Sequence, residues 1–66
     1  MNTKVDQQLL TGQRVRIYEL NGVHAVSLDS GTDAPPHVKI TGPEEKAADL
    51  FARIVERDLN EVGETN

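Results

Sequence analysis

An Asn-Gly pair between two runs of β-prone residues is the feature that most constrains how this 66-residue chain folds. The runs read RVRIYEL and VHAVSL, and Asn21-Gly22 separates them. A type I′ turn needs positive φ at both central residues, and Asn followed by Gly adopts it most readily. The sequence therefore predicts a β-hairpin over residues 13–29 with a two-residue turn.

The two-residue turn also fixes the register of the hairpin. It places Leu20 opposite Val23 and, counting back, Arg14 opposite Asp29. Because side chains alternate between the faces of a strand, one face gathers four aliphatic residues: Val15, Ile17, Val26 and Leu28. Near the turn, the opposite face gathers a second apolar group: Tyr18, Leu20, Val23 and Ala25. The turn and the hydrophobic pattern agree, which supports this register.

A loop and a third strand are predicted to follow the hairpin. Residues 29–36 are rich in Asp, Ser, Gly, Thr and Pro, a composition typical of loops. Residues 37–41 alternate again and place Val38 and Ile40 on one face. Pro35-Pro36 directly before them favours an edge position, because proline cannot donate to a ladder of hydrogen bonds.

The last third of the chain predicts a helix. Thr41 or Gly42 can cap its start, Pro43 suits the first helical position, and Gly63 is expected to end it. Apolar residues recur at helical spacing along one side: Ala47, Leu50, Phe51, Ile54, Val55 and Val62. Charges spaced four residues apart form a ladder on the other side: Asp49, Arg53, Arg57 and Glu61.

These elements predict an α+β fold. A three-stranded antiparallel sheet, made of the hairpin and the third strand, is packed by one C-terminal α-helix in the order β-β-β-α. Residues 13–62 form the single domain, residues 1–12 an N-terminal arm or short helix, and residues 63–66 a C-terminal tail. The predicted core contains nine large side chains: Val15, Ile17, Val26, Leu28, Val38, Ile40, Leu50, Phe51 and Ile54.

Composition narrows the classes of function. The chain has 11 acidic and 7 basic residues, a formal charge of −4, and no cysteine. A negative domain repels the phosphate backbone of nucleic acids, and without cysteine there is neither a disulfide nor a thiolate metal site. No apolar run approaches the ~20 residues of a membrane span, and the first ten residues lack an apolar signal segment. We expect a cytoplasmic protein without a cofactor.

Asp29-Ser30-Gly31-Thr32 resembles the catalytic turn of the aspartic proteases. Such enzymes need two of these aspartates sharing one proton, which the resemblance would supply through a dimer. Here the motif runs into Asp33-Ala34-Pro35-Pro36, and these prolines cannot enter the central strand that follows the protease turn. We therefore interpret Asp29 as the end of a strand and the next residues as a turn held by side-chain to backbone hydrogen bonds.

A second candidate for chemistry is the pair Glu19 and His24, which face each other across the hairpin. With His37 as a third ligand they would form a metal site or an acid–base pair. No spacing in the sequence forces His37 to converge on the pair. The expected arrangement is an ordinary cross-strand contact, and we predict no enzymatic activity and no metal site.

Arg14, Arg16 and Lys39 offer an alternative function, as a basic strip on the outer sheet face that binds nucleic acid. A three-stranded sheet with one helix starting TGPEEKAA resembles the DNA-binding arm domains of phage integrases, which implies DNA contact through that strip. The β-β-β-α outline and the acidic balance also resemble HicB-type antitoxins. The segment LLTGQRV is similar to the small head–tail joining proteins of lambda-like phages, which implies a phage-like size only.

The outer face and one flank of the helix point to a different function, protein–protein contact. More apolar surface is present than one helix-on-sheet contact can hide. The candidate interface residues are four on the sheet and three on the helix: Tyr18, Leu20, Val23, Ala25, Ala48, Ala52 and Leu59. We expect a small acidic interaction module, a phage or bacterial regulator or inhibitor, that binds an unidentified protein and forms a homodimer.

Overall fold

The structure is a computed structural model and describes residues 1–64. Its elements follow in chain order: β1 (Asn2–Gln8), β2 (Arg14–Leu20), β3 (Val23–Asp29), β4 (His37–Gly42) and α1 (Glu44–Glu64). The four strands form one sheet in the order β1-β2-β3-β4, and each neighbouring pair is antiparallel. The α+β class, the antiparallel sheet and the single C-terminal helix are confirmed, but the sheet has four strands rather than three.

The fourth strand comes from the segment predicted as an arm or short helix, so that prediction for residues 1–12 is wrong. All seven residues of β1 are exposed. The segment therefore lacks the alternation of apolar and polar residues by which a half-buried strand is predicted. β1 is held in an extended conformation by its antiparallel pairing with β2 instead. A C-terminal tail was predicted for residues 63–66, but α1 continues to Glu64. Thr65 and Asn66 lie outside the described residues.

The predicted hairpin is confirmed. All the pairs expected from the two-residue turn are present, from Leu20 opposite Val23 to Arg14 opposite Asp29. Asn21 has φ 52° and Gly22 has φ 82°, the left-handed conformation that a type I′ turn requires. The turn chemistry alone thus set the register of β2 and β3.

The core lies between the sheet and α1. Its buried residues are Leu9, Val15, Ile17, Val26 and Ala47, and five partly buried residues pack against them: Leu28, Leu50, Phe51, Ile54 and Val55. The helix covers β2, β3 and β4 but not β1. Seven of the nine predicted core residues therefore contribute to this layer.

Val38 and Ile40 were predicted in the core, and this is wrong. Val38 lies opposite Ser27 and Ile40 opposite Ala25, which places both on the face of the sheet turned away from α1. They are 59% and 74% exposed. The alternation within the strand was predicted correctly, but a long loop leaves the register free, and a shift of one residue exchanges the faces.

A buried carboxylate ties α1 to the turn between β1 and β2. Asp58, on the sheet-facing side of the helix, accepts hydrogen bonds from the N–H groups of Leu10 (2.9 Å) and Thr11 (3.2 Å). Burial by itself raises the pKa of Asp58, but the hydrogen bonds from Leu10 and Thr11 outweigh it and hold the pKa below its ordinary value. Leu9, next to these bonded residues, is buried in the core.

The outer surface of α1 carries two of the predicted ion pairs. Arg53 lies 3.2 Å from Asp49, and Arg57 lies 3.2 Å from Glu61. Both pairs are exposed and four residues apart, so each adds only a few tenths of a kcal/mol, about 0.3–0.5. Among the described residues, no helix is both long and apolar enough to cross a membrane.

Candidate interaction surface

The sheet face turned away from α1, here called the outer face, carries an apolar patch at the hairpin end. The register puts Tyr18 beside Ala25 and Leu20 beside Val23 on this face. An open cavity of about 400 Å³ lies over them, and its lining also includes Met1 and Ile40. We call these six residues the apolar patch.

The apolar patch is exposed to solvent. Ile40 is 74% exposed, Leu20 54% and Val23 49%. Single hydrophobic side chains are common on protein surfaces, but a contiguous group on a flat sheet face is a recurrent feature of protein-binding sites. The structure therefore brings together the four sheet residues predicted as an interface and adds two more.

The other end of the outer face carries a cluster of charged side chains joined by ion pairs. Asp6 on β1 lies 3.2 Å from Arg14 and 3.3 Å from Arg16. A hydrogen bond with Tyr18 and then the contact with Asp6 raise the pKa of Arg16 above its ordinary value. One carboxylate thus holds both guanidinium groups, and the cluster keeps a formal charge of +1 next to Tyr18 of the apolar patch.

Lys39 lies on the opposite side of the sheet from these arginines. It is paired with Val26, whose side chain packs under the helix. Together with Lys46, Asp49 and other residues it lines a cavity of about 370 Å³ between β4 and α1. The structure does not bring Arg14, Arg16 and Lys39 together on one face.

The second predicted surface is the flank of α1. Ala48, Ala52 and Leu59 are all exposed, and Leu59 is 55% exposed. At 100° per residue they follow one another along the helix beside the buried stripe. This flank is narrower than the apolar patch, because two of its three side chains are single methyl groups.

The net charge of the chain is concentrated on the helix. Residues 44–64 contain seven acidic and three basic side chains, which give −4, and the remaining residues contain four of each. The sequence before the helix therefore has no net charge, and the formal charge of −4 belongs to the helical segment of the sequence. The molecule thus has one acidic side and one apolar side.

The residues considered for metal or acid–base chemistry do not converge. His24 is buried, and its Nδ1 donates to the carbonyl of Gly42 at 3.1 Å. Glu19 lies opposite His24 as predicted, but His37 pairs with Leu28 near the other end of the strand. Among the residues that the structure describes, no group of three His, Cys, Asp or Glu side chains is placed to hold a metal ion.

Asp29 forms the turn that the sequence predicted. Its carboxylate accepts a hydrogen bond from the N–H of Gly31 at 2.9 Å, and Gly31 has φ 80°. Further along, the Thr32 hydroxyl accepts a hydrogen bond from the N–H of Ala34 at 3.2 Å. These are the Asx and Ser/Thr turn bonds expected of such a segment.

Sequence reasoning missed three residues of this surface and its support. Ile40 was assigned to the core, and Asp6 was assigned no role. The sequence does indicate a role for Asp58, because this residue lies in the middle of the apolar arc of the helix. An ionised carboxylate in that position needs hydrogen-bond donors. For Asp6 and Ile40 the signal depends on which strands pair, which the local sequence does not state.

No protein-family model matches the chain, and no curated protein or solved structure is significantly similar to it.

Proposed function

We propose that the protein is a non-enzymatic protein-interaction module that forms a homodimer through its outer sheet face. The single observation that carries this proposal is the apolar patch, an exposed group of large hydrophobic side chains on the face that the helix leaves open. A role as a small phage or bacterial regulator or inhibitor fits such a module, because binding is then its whole activity.

The energetics of a small domain favour a partner on this face. A single core in a chain of this length rarely supplies more than about 3–5 kcal/mol of stability. Half-exposed side chains such as Leu20 and Val23 still have apolar area to remove from water, at about 25 cal/mol per Å². Covering the apolar patch therefore stabilises both the fold and the complex.

The charge distribution favours a second copy of the chain as the occupant. When two outer faces meet, the sheets pack at about 10 Å and the acidic helices lie on the outside of the dimer. Two sheet layers then separate the helices, more than the Debye length of about 8 Å at physiological ionic strength. Pairing through the helix flank instead brings two layers of charge −4 together.

The proposed dimer is isologous, with the same patch used by both copies. In such an arrangement the apolar patches meet around the two-fold axis. The ion-paired cluster of Asp6, Arg14 and Arg16, with a formal charge of +1 in each copy, lies at the rim, where polar groups remain in contact with water.

Two leucines of nearly equal exposure provide a matched test of this proposal. Leu20 lies in the apolar patch and is 54% exposed, whereas Leu59 lies on the helix flank and is 55% exposed. Leu20→Glu buries a charge in the proposed dimer and should shift it to monomer, while Leu59→Glu should leave it a dimer. Sedimentation equilibrium from about 5 to 500 μM measures both.

The result expected for the wild-type chain is a concentration-dependent dimer. A wild-type chain that stays monomeric across this range contradicts self-association. A dimer that survives Leu20→Glu but is split by Leu59→Glu assigns the interface to the helix flank. Circular dichroism on each variant establishes that it is folded before its mass is interpreted.

A further inference from the structure

We propose that the free edge of β4 binds an extended strand from a partner protein, and that this strand carries a carboxylate opposite Lys39. This site adjoins the apolar patch on the outer face and shares only the side chain of Ile40 with it. It requires the backbone of β4 and the two lysines on its helix side, none of which the proposed homodimer uses.

The register shows which backbone groups of β4 face outward. In a two-residue hairpin Leu20 and Val23 exchange hydrogen bonds, and along an antiparallel strand the bonding direction alternates. Val26 and Leu28 therefore bond toward β4, where they lie opposite Lys39 and His37. The N–H and C=O groups of the intervening residues, Val38 and Ile40, point away from the sheet.

Each edge strand of the sheet contains one register shift, but only the shift of β1 carries a charged residue. β1 contains a register shift at Lys4, between Thr3 and Val5, and an irregularity with a charged residue discourages a further strand. β4 also contains a register shift, at Thr41, but that residue is uncharged, and the strand pairs regularly from His37 to Ile40 and contains no proline. Its outward groups form a template for strand addition, a mode in which main-chain bonds supply affinity.

The helix side of β4 supplies the charge preference. Lys39 and Lys46 line one cavity together with Asp49. Asp49 is already paired with Arg53 at 3.2 Å, and no ion pair joins either lysine to another residue of the described chain. A carboxylate on an added strand, opposite Lys39, meets two ammonium groups there.

The same charges disfavour a second copy of β4 as the occupant. Two copies of β4 can pair antiparallel about a two-fold axis, with Val38 of one copy opposite Ile40 of the other. Lys39 of each copy then lies directly opposite Lys39 of the other, and like charges in that position are destabilising. A partner strand that alternates carboxylate and β-branched residues avoids this. It directs its carboxylates to the lysines and its apolar side chains beside Val38 and Ile40.

The test uses a fluorescein-labelled, end-capped peptide of seven residues in which valines alternate with glutamates. Fluorescence anisotropy is measured with full-length Leu20→Glu protein, so that self-association through the outer face does not interfere. The matched control peptide has lysines in place of the glutamates. We expect saturable binding of the glutamate peptide and at least tenfold weaker binding of the lysine peptide.

Two sets of variants locate the site. Lys39→Glu combined with Lys46→Glu should weaken binding of the glutamate peptide at least tenfold. Val38→Pro removes one outward N–H without breaking a bond to β3, and should weaken binding about tenfold. Val38→Thr keeps that N–H and the β-branched shape, and should bind within about twofold of the parent.

Three results overturn the proposal: no saturable binding, equal binding of both peptides, or binding unchanged by the lysine and proline variants. Dimerisation is scored separately, by sedimentation of the Lys39→Glu and Lys46→Glu double variant with Leu20 intact. If that variant dimerises but does not bind the peptide, both sites are supported. If peptide binding persists in a chain that never dimerises, the edge site stands and the outer-face dimer fails.

Discussion

The carboxylate of Asp58 lies 2.9 Å from the backbone nitrogen of Leu10, although 48 positions separate them in the chain. The bond joins the second half of α1 to the turn between β1 and β2, and a second bond reaches Thr11. Because Asp58 sits beside the core and is 5% exposed, it fixes where the helix lies on the sheet and orders the turn from which β1 extends.

Replacing Asp58 by alanine should therefore lower stability clearly. The substitution leaves two N–H groups at a partly buried site without an acceptor, which costs more than losing a hydrogen bond exposed to water. Asp49→Ala is the matched control, since it removes an exposed carboxylate from the same helix. Urea unfolding should give a lower midpoint for Asp58→Ala and one close to wild type for Asp49→Ala, and equal midpoints would contradict this role.

The same carboxylate predicts a dependence of stability on pH. Its pKa in the folded protein lies below its ordinary value, so its contribution is fully present above the unfolded pKa, about 3.9. That contribution is lost as the pH falls through the folded pKa. The difference in melting temperature between wild type and Asp58→Asn should be constant from pH 7 to 5 and shrink below about pH 4. A constant difference down to pH 2 would be evidence against this linkage.

The same substitution on two strands separates the core from the outer face. Val15 is 0% exposed and Val38 is 59% exposed. Val15→Ala opens a cavity in the core and should cost about 2–3 kcal/mol of unfolding free energy. Val38→Ala should change it by no more than about 0.5 kcal/mol. Chemical denaturation measures both unfolding free energies, and comparable losses in the two variants would contradict the exposed position of Val38.

The hairpin turn predicts a contrast between two glycines. Gly22 has φ 82° and no atom near the position of an added Cβ, so Gly22→Ala is opposed only by backbone conformation, at about 1–2 kcal/mol. Gly63 lies in α1 without a positive φ, and Gly63→Ala should leave stability unchanged or raise it. A neutral Gly22→Ala in thermal unfolding would argue against the type I′ turn.

How much of this fold the sequence could predict depends on how local each signal is. Asn21-Gly22 determines its own conformation, and the pairs of β2 with β3 follow by counting. β1 has no such signal, since its strand is exposed along its whole length and is held by pairing and by Asp6. The residues next to β1 in the sequence cannot specify a strand that is held by its pairing with another segment.

The surface was partly predictable for the same reason. Tyr18, Leu20, Val23 and Ala25 were assigned to one face because the turn fixes them. Ile40 joins them only through the β3–β4 register, which a loop of seven residues between Asp29 and His37 does not determine. The apolar patch is consequently larger than the sequence alone indicated.

The most direct test of the proposed homodimer is an isotope-filtered NOE experiment on a mixture of labelled and unlabelled chains. The chain has one tyrosine and one phenylalanine. Tyr18 lies on the outer face, while Phe51 packs between helix and sheet. We predict intermolecular NOEs from the Tyr18 ring to the methyl groups of Leu20, Val23 or Ile40, and none from Phe51. Intermolecular NOEs confined to Ala48, Ala52 and Leu59, or none at a concentration of about 1 mM, would contradict the outer-face dimer.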